Sequence, residues 1–150
     1  MQPFVRVLIV DDNAADLALL AEALALEPGL EVLKATSVDI ALRLLQEHVA
    51  PDGSLGIHFV LMDLNMPGRN GLDALKAISD SPVLRNVAVV VMTSSARDVD
   101  RNACKALGAL DVWKKPMLWD DCVAIAGIAA TTARSVRVDP GSKAAFAAHA

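Results

Sequence analysis

Two apolar runs in this chain of 150 residues end in carboxylates. The first run, residues 5–10, is followed by Asp11 and Asp12, and the second, residues 57–62, is followed by Asp63. Runs of this length that are apolar apart from single residues, here Arg6 and His58, are typical of parallel strands that are buried on both faces. If the two strands end side by side, three carboxylates meet at one sheet edge, where they repel one another unless a divalent cation lies among them. The pattern therefore favours a fold that brings these two strand ends together.

Two further apolar runs end in polar groups. Residues 87–92 lead to the hydroxyl of Thr93, and residues 112–113 lead to Lys115 and Pro116. Open α/β sheets bind their ligands at the carboxyl ends of the strands. The acid pair, the single Asp63, the threonine and the lysine are therefore predicted to form one site.

Strand-like and helix-like segments alternate along the chain. Strands are predicted near residues 6–10, 31–35, 59–62, 88–92 and 111–113, and helices are predicted to begin after Asp12, Thr36, Asn70, Ala96 and Met117. Alternation with short connections implies right-handed crossovers and a doubly wound parallel sheet. Gly108 is expected to end the fourth helix in a left-handed conformation.

Composition narrows the class of protein. The chain is 54% hydrophobic, which is ample for one core, and residues 1–136 are predicted to form one domain followed by a short tail over residues 137–150. A net charge of −4 argues against nucleic acid as a main partner.

No apolar stretch is long enough to cross a membrane, and the first residues do not resemble a signal peptide, so we expect a cytoplasmic protein. Cys104 and Cys122 lack metal-binding spacing and are expected to be core residues.

In order and spacing, these landmarks resemble the receiver domain of two-component response regulators, from about Arg6 to about Ala130. Thr93 follows Asp63 by 30 residues and Lys115 follows Thr93 by 22, intervals that are usual in receivers. The turn at Met66 and Pro67, followed by Gly71, also matches. The resemblance implies a flavodoxin-like (βα)5 sheet with strand order 2-1-3-4-5.

The same resemblance implies a role for each site residue. Asp63 would accept a phosphoryl group from a histidine kinase, while Lys115 and Thr93 would contact its oxygens. Asp12 would bind Mg²⁺ directly, Asp11 would hold it directly or through water, and Asp63 and the backbone carbonyl of Asn65 would complete the protein ligands. The Lys115–Pro116 bond is expected to be cis.

Two features depart from the family pattern. Many receivers carry Tyr or Phe three residues before the lysine, but Val112 stands there, and Trp113 should point to the opposite face of its strand. The usual aromatic switch is therefore expected to be absent or altered. The fifth helix carries Trp119, Val123, Ile125 and Ile128 on more than one face, which favours a second apolar surface for a homodimer or a kinase.

The function predicted first is a single-domain response regulator that acts through its dimer or its binding partners. General likeness to the small regulators of bacterial and cyanobacterial phytochromes favours a phytochrome histidine kinase as partner. The alternative is a receiver fold that associates constitutively, largely independent of phosphorylation.

Two other classes fit the sequence less well. Aspartyl-phosphate hydrolases of the haloacid dehalogenase type need a second aspartate at the position held by Asn65. A flavin or dinucleotide module would need glycines after the first strand, where Asp11, Asp12 and Asn13 stand instead.

Overall fold

A computed structural model of the chain describes residues 4–95 and 101–138, apart from the side chains of residues 137 and 138. The strands are β1 (Val5–Val10), β2 (Leu30–Ala35), β3 (Phe59–Asp63), β4 (Ala88–Thr93) and β5 (Asp111–Lys114). The helices are α1 (Ala14–Ala25), α2 (Val38–Glu47), α3 (Gly71–Asp80), α4 (Arg101–Ala106) and α5 (Trp119–Val138). The predicted start of the fourth helix after Ala96 lies outside the described residues. The last helix continues past the predicted domain end at residue 136, and the rest of the predicted tail is not described.

The five strands form one parallel sheet in the order β2-β1-β3-β4-β5, which confirms the predicted flavodoxin-like topology. The register pairs Val10 with Met62, Asp63 with Met92, and Thr93 with Lys114. These pairings bring the carboxyl ends of β1, β3, β4 and β5 to one edge of the sheet, which we call the carboxyl edge.

Each face of the sheet has its own core, because successive side chains of a strand point to opposite faces. In β1, Leu8 and Val10 pack with residues of α2, α3 and α4, whereas Val7 and Ile9 pack with residues of α1 and α5. The second core receives small side chains from α5, namely Ala126, Ala129 and Ala133. Both cysteines are buried, as predicted, and burial raises the pKa of the Cys122 thiol, with a further contribution from the charges of Asp121 and Asp16.

Local signals in the sequence explain several helix ends. Asn13, Ser37 and Asn70 cap α1, α2 and α3 with side-chain oxygens that accept backbone N–H groups. Gly108 follows α4 with a φ of 105°, so the predicted left-handed conformation is confirmed. Within the described part of the chain, no helix has the length and apolarity needed to span a membrane.

Candidate functional site

Backbone hydrogen bonds extend the sheet past the strand ends and thereby fix the residues of the site. The N–H of Asp11 donates to the carbonyl of Ala35 at 3.1 Å, and the N–H of Lys115 donates to that of Thr93 at 2.9 Å. At β3, the N–H of Leu64 donates to the carbonyl of Met92 at 2.8 Å. Asp11, Asp63 and Lys115 are therefore held by the same ladder that holds the core.

The three predicted acids do meet at the carboxyl edge. One carboxylate oxygen from each of Asp11, Asp12 and Asp63 lies within 4.8 Å of the others. Asp11 and Asp63 are each only 4% exposed, whereas Asp12 faces solvent. Oδ1 of Asp11 accepts the N–H of Asn13 at 2.9 Å, and Oδ1 of Asp63 accepts the N–H of Asn65 at 3.0 Å. These local turns orient both buried carboxylates.

Lys115 supplies the positive charge of the site. Its Nζ lies 2.7 Å from Oδ2 of Asp11 and 3.1 Å from Oδ2 of Asp63. Burial by itself would lower the pKa of Lys115, but hydrogen bonds to Asp11, Asp16 and Asp63 outweigh burial and raise it. The ammonium therefore stays charged and lies against the predicted acceptor.

Asp16 is a site residue that the sequence reasoning missed. Its Oδ2 lies 3.1 Å from Nζ of Lys115, although Asp16 belongs to the first turn of α1 rather than to a strand end. The signal that would have found it is an acid one helical turn beyond Asp12, on the helix that starts at the carboxyl edge. Three carboxylates, those of Asp11, Asp16 and Asp63, thus lie within 3.1 Å of one ammonium.

Burial is the main influence on Asp63. It raises the pKa of this carboxyl, and the charge of Asp11 adds to the rise, while the N–H of Asn65 and the Lys115 ammonium act against it. Without a divalent cation, the surroundings of Asp63 thus disfavour its ionised form relative to its neutral form. A divalent cation at this edge would favour ionisation.

Thr93 and Asn65 form a second, polar side of the site. The Thr93 hydroxyl is fully buried, and its Oγ1 accepts Nδ2 of Asn65 and the N–H of Ser95, both at 3.2 Å. Because the oxygen accepts both bonds, its own proton can be donated to a further acceptor. Asn65 therefore links the turn after Asp63 to the end of β4.

Gly71 lets α3 begin close to the end of β3. A Cβ on Gly71 would lie 3.0 Å from Cα of Leu64 and 3.1 Å from the carbonyl oxygen of Asp63. The N–H of Gly71 donates to the carbonyl of Leu64 at 3.2 Å, which closes the turn. A side chain here would push the helix away from Asp63, which explains the glycine in the predicted turn motif.

The donor set suits a hard divalent cation. Asp11, Asp12 and Asp63 offer only carboxylate oxygens, which Mg²⁺ prefers, and the exposure of Asp12 leaves room for the waters that this ion retains. Two of the carboxylates already contact Lys115, but each has further lone pairs available. The role of the Asn65 carbonyl stays a prediction.

One prediction is wrong. Among the described residues no peptide bond is cis, so the Lys115–Pro116 bond is trans. The trans form of a bond to proline is favoured by about 0.5–1 kcal/mol when nothing selects the other isomer. The Lys115 ammonium reaches Asp63 with the trans bond, so the contact does not require the cis isomer.

The two sides of β5 differ as expected from the sequence. Val112 is buried in the core beneath α2, α3 and α4, whereas Trp113 packs on the other face, with its ring centroid 6.3 Å from that of Phe59. The Trp113 indole N–H donates to Oδ2 of Asp111 at 3.1 Å, and Arg101 of α4 donates to Oδ1 of Asp111 at 2.6 Å. An aliphatic side chain therefore occupies the position where many receivers carry a ring.

Comparison with known proteins places these features in a family. The response regulator receiver domain matches residues 7–126. The transcriptional regulatory protein CpxR of Escherichia coli K12 is 33% identical over 130 residues, which cover 87% of this chain and 50% of CpxR. The two-component response regulator ARR16 of Arabidopsis thaliana is 31% identical over 122 residues, which cover 75% of this chain and 72% of ARR16. The chain thus spans half the length of CpxR.

Solved structures give the same fold. The phosphorylated cyanobacterial phytochrome response regulator RcpA superposes with a TM-score of 0.69 at 24% identity, covering 86% of this chain and 96% of RcpA. The Mn²⁺-bound response regulator Rcp1 superposes with a TM-score of 0.67 at 28% identity, covering 83% of this chain and 91% of Rcp1. The carboxyl edge of this chain thus lies in a fold whose solved examples include phosphorylated and metal-bound forms.

Proposed function

Because the chain belongs to the response regulator receiver family, we propose that it accepts a phosphoryl group on Asp63 from a histidine kinase, with Mg²⁺ bound beside it. The observation that carries this proposal is the contact between Nζ of Lys115 and Oδ2 of the buried Asp63. A carboxylate that is to attack an anionic donor needs positive charge next to it, and Lys115 provides it.

The transfer moves one phosphoryl group between two nucleophiles. A carboxylate oxygen of Asp63 attacks the phosphorus of the kinase phosphohistidine and forms an acyl phosphate. The P–N bond breaks, and its electron pair stays with the departing imidazole nitrogen. In this proposal the chain is the acceptor rather than a turnover enzyme, apart from any self-phosphorylation and autodephosphorylation.

Positioned donors would stabilise the charge that develops on the phosphoryl oxygens. Lys115 already lies at the acceptor oxygen, and the Thr93 hydroxyl retains a proton for a second phosphoryl oxygen. Asp11, Asp12 and Asp63 would hold the Mg²⁺, with the Asn65 carbonyl as a further ligand. The bound ion would offset the repulsion between Asp63 and the incoming phosphate.

The experiment is phosphorylation of the wild type and Asp63→Asn by acetyl phosphate with Mg²⁺, read by intact mass. We expect the mass of one phosphoryl group to be added to the wild type only, and to be lost when EDTA replaces Mg²⁺. Asp73→Asn, which changes an acid of α3 outside the site, is the matched control and should be phosphorylated. Modification of Asp63→Asn to the same extent would refute the assignment of the acceptor.

We propose a cytoplasmic location and, as the partner, a phytochrome histidine kinase. The choice of kinase is supported by the likeness to Rcp1 and to RcpA, of which RcpA is described as a phytochrome response regulator. Phosphotransfer from a purified phytochrome kinase, compared with transfer from an unrelated histidine kinase, tests the pairing. Equal rates from both kinases would remove the support for a phytochrome.

The proposed output is a change in dimer or partner binding through the surface of α5. Five large apolar side chains are exposed on and just before this helix: Met117, Leu118, Trp119, Val123 and Ile128. These exposed side chains support the second apolar surface predicted from the sequence, although Ile125 is half-buried against the core, and a second copy of the chain is the proposed occupant.

Association state measured with and without acetyl phosphate tests this output. We expect Val123→Glu to weaken the dimer, while Val83→Glu, at an exposed apolar residue before β4, should not. A dimer that is insensitive to phosphorylation would favour the alternative function, constitutive association of a receiver fold, which the aliphatic residue at Val112 also supports.

A further inference from the structure

The acidic residue Asp16 contacts Lys115 from outside the strand ends. Its carboxylate lies 3.1 Å from Nζ, and its side chain is 32% exposed, compared with 5% for Asp11 and 6% for Asp63. The family roles assigned above account for Asp11 and Asp63 but give no role to Asp16.

A comparison of two helix starts shows that this contact is not a by-product of capping. Both α1 and α3 begin with an asparagine cap and carry an aspartate three residues later, at the third helical position. In α3, Asp73 returns to its cap and accepts the N–H of Asn70 at 3.0 Å, which completes a capping box. Asp73 has thus the local role that this sequence pattern predicts.

In α1 the corresponding bond is replaced. The N–H of Asn13 donates to Oδ1 of Asp11 at 2.9 Å, so the cap no longer needs the carboxylate of Asp16. The backbone N–H of Asp16 still donates to the Asn13 side chain at 3.0 Å, which keeps the first turn in place. The carboxylate is thereby free to reach across to Lys115.

The three carboxylates around Lys115 would differ in whether they keep their contact with the ammonium during phosphorylation. An ammonium has three N–H groups, and Asp11, Asp16 and Asp63 lie at bonding distance from it. In the proposed reaction Asp63 receives the phosphoryl group, and Asp11 takes part in holding Mg²⁺. Only Asp16 is neither acceptor nor metal ligand, so its bond to Lys115 can persist throughout.

We propose that Asp16 is a positioning residue that holds the Lys115 ammonium at the phosphoryl site while Asp63 and Asp11 exchange their contacts. A lysine side chain is long and flexible, and its ordering costs rotamer entropy at the moment of reaction unless it is already held. A fixed carboxylate on α1 keeps the ammonium in place. This inference rests on the proposed phosphoacceptor function.

The test is the rate of phosphorylation by phosphoramidate at saturating Mg²⁺, measured over a range of donor concentrations. We expect Asp16→Asn to lower the limiting rate about three- to fivefold, the range for a partly exposed charge pair, with little change in half-saturating donor. Asp16→Glu keeps the charge and should recover most of the rate. Asp73→Asn, the same change at the same position of α3, should leave the rate unchanged.

A double-mutant cycle separates positioning through Lys115 from other effects of Asp16. In a Lys115→Met background, Asp16→Asn should cause no further decrease, because the group that it holds is gone. An unchanged or faster rate in Asp16→Asn, or an equal decrease in both backgrounds, would overturn the proposal. A tenfold loss of Mg²⁺ affinity in Asp16→Asn would also overturn it, because Asp16 would then act on the metal.

The same cycle measured by urea unfolding in EDTA does not depend on phosphorylation. A coupling of about two- to fivefold in the unfolding equilibrium constant between Asp16 and Lys115 is expected in the resting protein. Additive effects would overturn the proposal even if the wild type were phosphorylated normally. A wild type that no donor phosphorylates, with the coupling intact, would instead remove the proposed function and leave the contact as a structural one.

Discussion

The ammonium of Lys115 lies 3.1 Å from Oδ2 of Asp63, a residue 52 positions earlier in the chain. Lys115 also contacts Asp11, so one cation serves both buried carboxylates of the site. In the absence of a metal ion, this lysine is the counter-ion that makes their burial tolerable.

Removing the charge of Lys115 should destabilise the metal-free protein more than removing the charge of the adjacent Lys114. Lys115→Met leaves the buried Asp11 and Asp63 without a counter-ion, at a cost of about 3 kcal/mol in the free energy of unfolding. Lys114→Met removes the exposed lysine beside it and should change stability little. Urea unfolding in EDTA measures both, and equal stability of the two variants would contradict this account.

Magnesium should stabilise the folded protein through the acid cluster. At a concentration 100 times the dissociation constant, binding to the folded state alone adds about 2.7 kcal/mol to the free energy of unfolding. Asp12→Asn should lose most of this gain, because Asp12 is one of the three clustered acids. Glu22→Gln, at an exposed acid of α1, is the control and should keep it. Thermal unfolding with Mg²⁺ or ionically matched NaCl gives the comparison.

The pH dependence of stability should reveal the burial of Asp63. Burial raises its folded-state pKa above the ordinary 3.8, so the folded state binds this proton more tightly than the unfolded state. Its stabilising effect is therefore complete below pH 3.8 and is lost as pH rises through the folded pKa. In EDTA, the stability of the wild type relative to Asp63→Asn should fall as pH rises from acid to neutral.

Asp52 provides a control of opposite sign for that measurement. Hydrogen bonds from the side chain and the backbone of Ser54 lower the pKa of this exposed carboxyl. The stabilisation by Asp52 should therefore be complete above pH 3.8 and be lost as pH falls through its lower folded-state pKa, so the wild type gains stability relative to Asp52→Asn as pH rises toward 3.8. Slopes of the same sign for both variants would contradict the assignment for Asp63.

Two glycines should respond oppositely to alanine. Gly108→Ala places a side chain at a φ of 105° and brings its Cβ against Oγ of Ser79, which should cost about 1–3 kcal/mol. Gly127 lies within α5, and a Cβ there meets nothing within 4 Å, so Gly127→Ala should add about 0.5–1 kcal/mol. Urea unfolding of the two variants checks the pair, and stabilisation by Gly108→Ala would show that the turn can relax.

The sequence predicted the sheet and the acid cluster because both follow from short-range patterns. Apolar runs that end in polar residues mark the ends of buried strands, and parallel pairing then brings Asp11, Asp12 and Asp63 together. The position of Val112 and the opposite direction of Trp113 also follow from the alternation of side chains along a strand.

The contact of Asp16 could not be predicted in the same way. The patterns Asn13 to Asp16 and Asn70 to Asp73 are alike, but only the second forms a capping box. The difference depends on Asp11, which takes the N–H of Asn13, and on Lys115, which arrives from the far end of the chain. The cis bond expected at Pro116 came from the family resemblance alone, and the bond has the trans form, which is intrinsically favoured.

The packing of Trp113 has a practical consequence. Trp113 lies two positions before Lys115, and its indole donates a hydrogen bond to Asp111 and packs near the ring of Phe59. The second tryptophan, Trp119, is 40% exposed. With Trp119→Phe, all tryptophan emission would come from the strand that carries the lysine. The chain thus contains a native fluorescent reporter next to its proposed site, and a shift in the emission wavelength would follow β5 without an attached dye.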